Sequence, residues 1–314
     1  MFGVRTIDTH YAGQDQVAAA YLLVDEGEAA FVETNTSSSV PGLLAALAAE
    51  GVSPEQVKYV IITHIHLDHA GGAGVLMAAC PNATLLAHPK AAPHAIDPSR
   101  IVKGATAVYG EEAFAELYGE VRPTPAERVR TMADGETVEL GGRTLTFLHT
   151  RGHANHHFCV HDSRSEGVFT GDSMGVVYPH LQDKGVFALA STSPTDFDEA
   201  AAHEALDRIV ATGAKRVYPT HFGEYTEVQA IADQLHAQLT EYGQVVEAAL
   251  ADGLEGDLLA TFCSERARQI IEAHLREHGH GPEDARTGIV ATDVDLNGQG
   301  LAFAVQKIRY KRGK

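Results

Sequence analysis

Short apolar runs bounded by turn residues fill the first two thirds of the chain and alternate between strand-like and helix-like spacing. VAAAYLLVD (17–25) and AAFVE (29–33) flank Glu26-Gly27-Glu28, the pattern of a β-hairpin. SSVPGLLAALAAEG (38–51) predicts a helix, with Ser38 or Ser39 near its N-cap, Pro41 in its first turn and Gly51 as its stop. An apolar, β-branched strand is expected over 58–63, a helix over 73–80 and a short strand at ATLLAH (83–88). The Ala-, Glu- and Tyr-rich stretch 89–125 reads as a helical insertion, a lid or an edge piece. ETVEL, RTLTFLHT, HFCVHD and GVFTGD then read as strands, followed by a helix over 198–213 and the strand KRVYPTH (215–221). Beyond Tyr225 the pattern is mainly helical. The expectation is an α/β body over residues 1–225 and a helical appendage over 226–314.

The strand over 58–63 runs into THIHLDHAGG, where His64, His66, Asp68 and His69 crowd together. A loop leaving a strand can turn alternate side chains toward one point, which a helix cannot do at a spacing of two. One tetrahedral catalytic site needs three protein ligands and keeps a fourth position for water. Four donors here, with more from elsewhere, therefore suggest two metals. The same pattern of a donor at a strand end recurs at His153 after LTFLHT, Asp172 in FTGD and His221 in YPTHFG.

Composition narrows the field. The 314 residues carry 24 Lys and Arg against 42 Asp and Glu, a formal charge of -18 that would repel a polyanion. The one basic run, KIRYKRGK (307–314), reads as a solvated helix end. Cys80, Cys159 and Cys263 are odd in number and far apart, so no disulfide framework is expected. The N-terminus lacks the pattern of a signal peptide and no apolar run reaches membrane-spanning length. A cytoplasmic protein with a small-molecule substrate, and neither nucleic acid nor membrane as partner, is the expectation; a homodimer is left open.

The series HIHLDH, GH, GD and THFG resembles the metallo-β-lactamase-fold hydrolases, the superfamily that includes glyoxalase II. The likeness covers roughly residues 15–225 and is nearest to a largely uncharacterised prokaryotic group. It implies a four-layer αββα sandwich with metals at one edge. It further implies a first metal on His64, His66 and His153, a second on Asp68, His69 and His221, and Asp172 as bridge. By the same resemblance, a hydroxide bridging two divalent ions, zinc first and iron or manganese as alternatives, would attack the substrate, with Asp68 passing a proton. His156 and His157 would stand behind the ligands or line the pocket, where Tyr178, His180 and Tyr225 are further candidates. Asp172 where common zinc β-lactamases have cysteine, His66 where flavodiiron proteins have Glu, and the acidic charge trim other branches. Arg266, Arg268 and Arg276 read as a solvated helix face rather than a glutathione site. An ester, lactone or thioester is the expected substrate; the alternatives are a phosphoester or phosphotriester on the same site and iron-dependent sulfur oxidation of the persulfide dioxygenase kind.

Overall fold

The computed structural model describes residues 3–312, so Met1, Phe2, Gly313 and Lys314, at the ends discussed above, lie outside the described residues. One sheet runs in the order β1 (Gly3–Asp8), β2 (Ala19–Asp25), β3 (Glu28–Val32), β4 (Val57–Ile61), β5 (Thr84–Ala87) and β6 (Val129–Thr131). β1 to β3 are antiparallel, and β3 to β6 are parallel. Parallel neighbours need long crossovers. α1 (Val40–Ala49) links β3 to β4; α2 (Leu67–Ala70) and α3 (Ala73–Ala79) link β4 to β5. α4 (Ala92–Ile96), α5 (Ser99–Tyr109) and α6 (Glu111–Tyr118) occupy the link to β6, which is the helical insertion expected over 89–125.

The second sheet has the order β11-β10-β9-β8-β7, from β7 (Thr137–Leu140), β8 (Arg143–His149), β9 (Phe158–Asp162), β10 (Gly167–Val176) and β11 (Arg216–His221). Inward side chains of both sheets share one core, including Tyr21, Leu23, Val32, Ile61, Phe147, Phe158, Phe169 and Tyr218. The opposite face of the first sheet is sealed by Leu43, Leu47, Leu76 and Met77 from α1 and α3. Two packed sheets with helices outside and a helical C-terminal region are the architecture expected of the αββα sandwich.

By contact density the chain forms two compact units. The first holds the described residues through His149, His156–Gly171 and Ala214–Thr226; the second holds Thr150–Asn155, Asp172–Gly213 and everything from Glu227 on. The second unit carries α7 (Glu199–Ala211), α8 (Val228–Ala251), α9 (Gly256–Glu277) and α10 (Ala291–Arg312). α10 lies in the stretch read as mainly helical, although its Gly298 and Gly300 are poor helix formers. Packing requires Gly298: a Cβ there would stand 2.7 Å from Cα of Ser264 in α9. The described part of the basic tail, residues 307–312, is the end of α10, with Arg309 donating to the Leu254 carbonyl at 2.6 Å and Lys307 lying 3.5 Å from Asp198. Arg266, Arg268 and Arg276 are exposed on α9. No helix of the described residues is long and apolar enough to cross a membrane.

The two sheets are also joined by buried charge. Arg143 at the start of β8 is 1% exposed, donates to Asp162 of β9 at 2.8 Å and lies 3.5 Å, an ion-pair distance, from Asp25 at the end of β2. Removing one partner of such a group leaves uncompensated buried charge, at a cost of about 3–5 kcal/mol. Arg143→Met should therefore lower the unfolding free energy by about that amount in denaturant titration; a loss under about 1 kcal/mol would show that Asp25 and Asp162 find other compensation.

His88, just past β5, generates a pH dependence. Its ring accepts the Lys90 N–H at 3.0 Å, and its pKa is pushed down to about 3 by burial first, then by His149, His156 and Lys90. The unfolded chain binds a proton on this residue below about 6.5 while the folded protein does not, so stability falls as pH drops from about 6.5 toward 3. The decrease in melting temperature between pH 7.5 and 5 should be smaller in His88→Gln than in the native protein; an equal decrease would assign the acid sensitivity elsewhere.

Candidate metal centre

β3 and β4 end side by side, and the chemistry begins where both stop. Beyond Val32 the backbone turns left-handed at Glu33 (φ 68°) and again at Asn35 (φ 52°). Such conformations cost non-glycine residues about 1–3 kcal/mol and persist only where surrounding contacts enforce them. Here the contacts grip the metal-loop sequence. The Thr34 N–H and hydroxyl donate to the His69 carbonyl at 3.0 and 2.9 Å, and Asn35 Nδ2 donates to the Asp68 carbonyl at 2.7 Å. Gly72 N–H donates to the Asn35 carbonyl at 2.7 Å. Gly71 and Gly72 have ordinary helical φ values of -59° and -84°. Glycine is needed at 72 for proximity: a Cβ would lie 2.6 Å from the Thr36 carbonyl oxygen.

The one-turn helix α2 then carries Asp68 and His69, while His64 and His66 lie on the loop before it. Oδ2 of Asp68 lies 3.4 Å from Nε2 of His221, at the end of β11, and 3.6 Å from Nε2 of His69. A tetrahedral zinc site with bonds of about 2.1 Å has donor–donor edges of about 3.4 Å. Asp68, His69 and His221 therefore fit one divalent cation as they stand. Their tautomers are set from behind. Nδ1 of His221 lies 2.9 Å from the Val17 carbonyl, which can only accept, so this nitrogen carries the proton and Nε2 presents the lone pair. Nδ1 of His69 faces Glu33 Oε1 at 3.3 Å with the same consequence.

His64 and His66 form the other half of the motif. Nε2 of His64 and Nδ1 of His66 are 2.8 Å apart, and Nδ1 of His64 contacts the Thr63 hydroxyl at 3.1 Å. His156 stacks over His64 (centroids 6.1 Å apart, planes at 15°) and meets His66 edge-on at 5.4 Å. His157 is fully buried, its ring 4.9 Å from that of His64. A Cβ at Gly171 (φ 49°) would strike Nε2 of His157 and stand 2.6 Å from the Thr63 hydroxyl, which explains glycine in the GD motif.

In the second unit, His153 and Asp172 are brought together. Nε2 of His153 is 3.4 Å from Oδ2 of Asp172, again the length of a tetrahedral edge, and its Nδ1 is 3.2 Å from the Ser191 carbonyl. Tyr178 is buried with its hydroxyl donating to Asp293 of α10 at 3.2 Å, and His180 sits half-buried in the turn Pro179–Leu181. Tyr225 in the first unit is half-buried and pairs through its backbone with Val217 of β11.

The residue that motif reading misses is Glu33. It is 1% exposed, and Oε1 accepts from the hydroxyls of Thr63 and Thr220, the latter at 3.2 Å, as well as facing His69. Two sequence signals point to it: an acid closing an otherwise apolar strand, and the repeat of Thr-His at 63–64 and 220–221. A buried carboxylate is costly unless it is hydrogen-bonded, and these neighbours supply the donors. Partners that orient metal-binding histidines typically contribute about 10–100-fold in metal affinity. Glu33→Ala should weaken the Asp68–His69–His221 site by a factor in that range in chelator competition, with far-ultraviolet circular dichroism retained; unchanged affinity would reduce Glu33 to a packing role.

Comparison with known proteins gives the family. The sequence profile of the metallo-beta-lactamase superfamily matches residues 14–221. The atrochrysone carboxyl ACP thioesterase of Aspergillus fumigatus is 26% identical over 203 residues, 65% of this chain and 47% of that protein. The human acyl-coenzyme A thioesterase MBLAC2 is 26% identical over 198 residues, 59% of this chain and 63% of that protein. The chain thus spans about half to two thirds of these two thioesterases. The metallo-beta-lactamase fold-containing protein ST1585 of Sulfurisphaera tokodaii is 23% identical over 277 residues, 87% of this chain and 95% of that protein. Its crystal structure superimposes with a TM-score of 0.67, covering 96% of this chain and 98% of the other at 20% identity, a likeness of fold. With the profile covering well over half its length, the chain belongs to the metallo-beta-lactamase superfamily.

Proposed function

We propose that this protein is a dinuclear metal-dependent hydrolase of a small-molecule thioester, ester or lactone, with thioesters foremost. The observation that carries the reading is the Asp68–His69–His221 cluster, whose donor atoms already stand at tetrahedral spacing. His64 and His66 in the first unit, and His153 with Asp172 in the second, carry the remaining donors of the expected set. The thioesterase names of the fungal and human relatives support the substrate class. Nitrogen and carboxylate donors with no cysteine suit zinc and also accept iron or manganese. Bound divalent cations supply an activated water and a positive field for the oxygen that becomes negative during acyl transfer.

The chain's own groups do the rest. His69 and His221 are held by Glu33 and the Val17 carbonyl in the tautomer that binds through Nε2. The Asp68 carboxylate is about a quarter exposed, so Oδ2 faces its two histidines while the group remains open to solvent. It can accept a proton from the attacking water and release it toward the leaving group, a role usually worth about 10²–10⁴-fold.

Protein of measured metal content, assayed on a panel of thioesters, esters, lactones and phosphoesters, tests the proposal. About two divalent ions per chain and turnover on the acyl substrates are expected. Asp68→Ala should lower kcat by at least about 10²-fold. Well under one metal per chain with no hydrolysis after reconstitution would overturn the reading. Oxygen consumption with a persulfide in place of hydrolysis would replace it with sulfur oxidation.

A further inference from the structure

Leu67 lies between His66 and Asp68, yet its side chain belongs to neither half of the metal loop. It is 8% exposed because Phe114 and Tyr118 of α6 pack against it. Tyr11, from the turn after β1, and Ile101 and Val102 of α5 extend this cluster and are only partly buried. Tyr118 meets Phe114 at 5.3 Å and Tyr109, which is 44% exposed, edge-on at 5.9 Å. An apolar, half-open face thus begins one residue from the catalytic carboxylate and continues along the helical insertion.

The face is fastened to the loop that holds the metal ligands. Ser37, two residues past Asn35, donates its hydroxyl to the Tyr118 carbonyl at 3.1 Å and accepts the Glu120 N–H at 2.9 Å. The hydroxyls of Tyr11 and Tyr118 pair with one another. Burial pushes both phenols above the ordinary tyrosine range. Apolar surface held this close to a reactive carboxylate, on a protein otherwise covered in acidic groups, calls for an uncharged, hydrophobic occupant.

We propose that the partly exposed Tyr11, Ile101 and Val102, backed by the buried Leu67 and Tyr118, form the wall that receives a linear apolar acyl chain of the substrate, with the carbonyl end directed to Asp68. This deepens the hydrolase reading and rests on it. Each methylene seated on such a wall raises kcat/KM by up to about fourfold, whereas a wall shaped for a small or polar group shows no such rise.

Acetyl, butyryl, hexanoyl and octanoyl thioesters of N-acetylcysteamine, an uncharged carrier, provide the test on metal-reconstituted protein. The octanoyl-to-acetyl ratio of kcat/KM should be large in the native protein, fall about tenfold or more in Val102→Asp and fall about fourfold in the milder Val102→Ala. Binding of octanamide, measured by calorimetry, should weaken in the same order. A flat chain-length profile, or a ratio and octanamide affinity untouched by both substitutions, would overturn the wall. The binding measurement needs no turnover, so octanamide binding that Val102→Asp abolishes, on protein that hydrolyses no thioester, would uphold the wall and reject the hydrolase reading instead.

Discussion

The Glu33 carboxylate, buried where β3 stops, is the group on which the metal-binding region depends. It collects the hydroxyls of Thr63 and Thr220 and the ring of His69, so three separate stretches of chain are referred to one point. A charged or polar group at 1% exposure must be met by donors or it destabilises the fold. That requirement works in both directions: the donors make the burial tolerable, and the buried acid fixes the donors. The left-handed backbone at Glu33 and Asn35 is flanked by the bonds from Thr34 and Asn35 to the His69 and Asp68 carbonyls, which position Asp68 and His69.

The histidines show the same economy of design. His221 and His153 each have Nδ1 against a backbone carbonyl, and His69 has it against a carboxylate. In all three cases the acceptor decides the tautomer, and the tautomer decides which nitrogen meets a cation. Rigid strand ends supply the precision, since β4 and β11 deliver their ligands from strands that are buried in the sheets. The helical insertion contributes differently, through apolar contact with Leu67 rather than through donors. The His- and Asp-rich loop and the apolar cluster beside it thus come from different kinds of sequence, the latter rich in Tyr and aliphatic residues.

Much of the fold was legible in the chain. The hairpin of β2 and β3, the helices α1, α3 and α7, and strands β4, β5 and β7 to β11 follow from apolar period and turn residues, because each buries a continuous face. β1 and β6 are harder to read: β1 is an edge strand whose polar Arg5, Thr6 and Asp8 follow no clean alternation, and β6 has three residues. The two glycines inside α10 are explained only by packing, Gly298 against Ser264 and Gly300 against Thr192. Among the site residues, His64, His66, Asp68, His69 and His221 stand out by type and spacing, and the structure gathers them. Glu33 does not stand out, because an acid ending a strand looks like an exposed turn residue until its neighbours are known.

The sequence by itself determined the inventory: which strands end in candidate metal donors, that those donors are oxygen and nitrogen rather than sulfur, and that the chain as a whole is strongly acidic. Those properties are carried by residue identity and local spacing, so they survive without coordinates. Only the tertiary structure decided the tautomers, the partner of each histidine, the need for glycine at positions 72 and 171, and the attachment of the helical insertion to Leu67. Many of these depend on groups far apart in the chain: Glu33 is 30 residues from Thr63, and Val17 is 204 from His221. Contacts at that separation are set by how the sheets pack, and no local pattern encodes them.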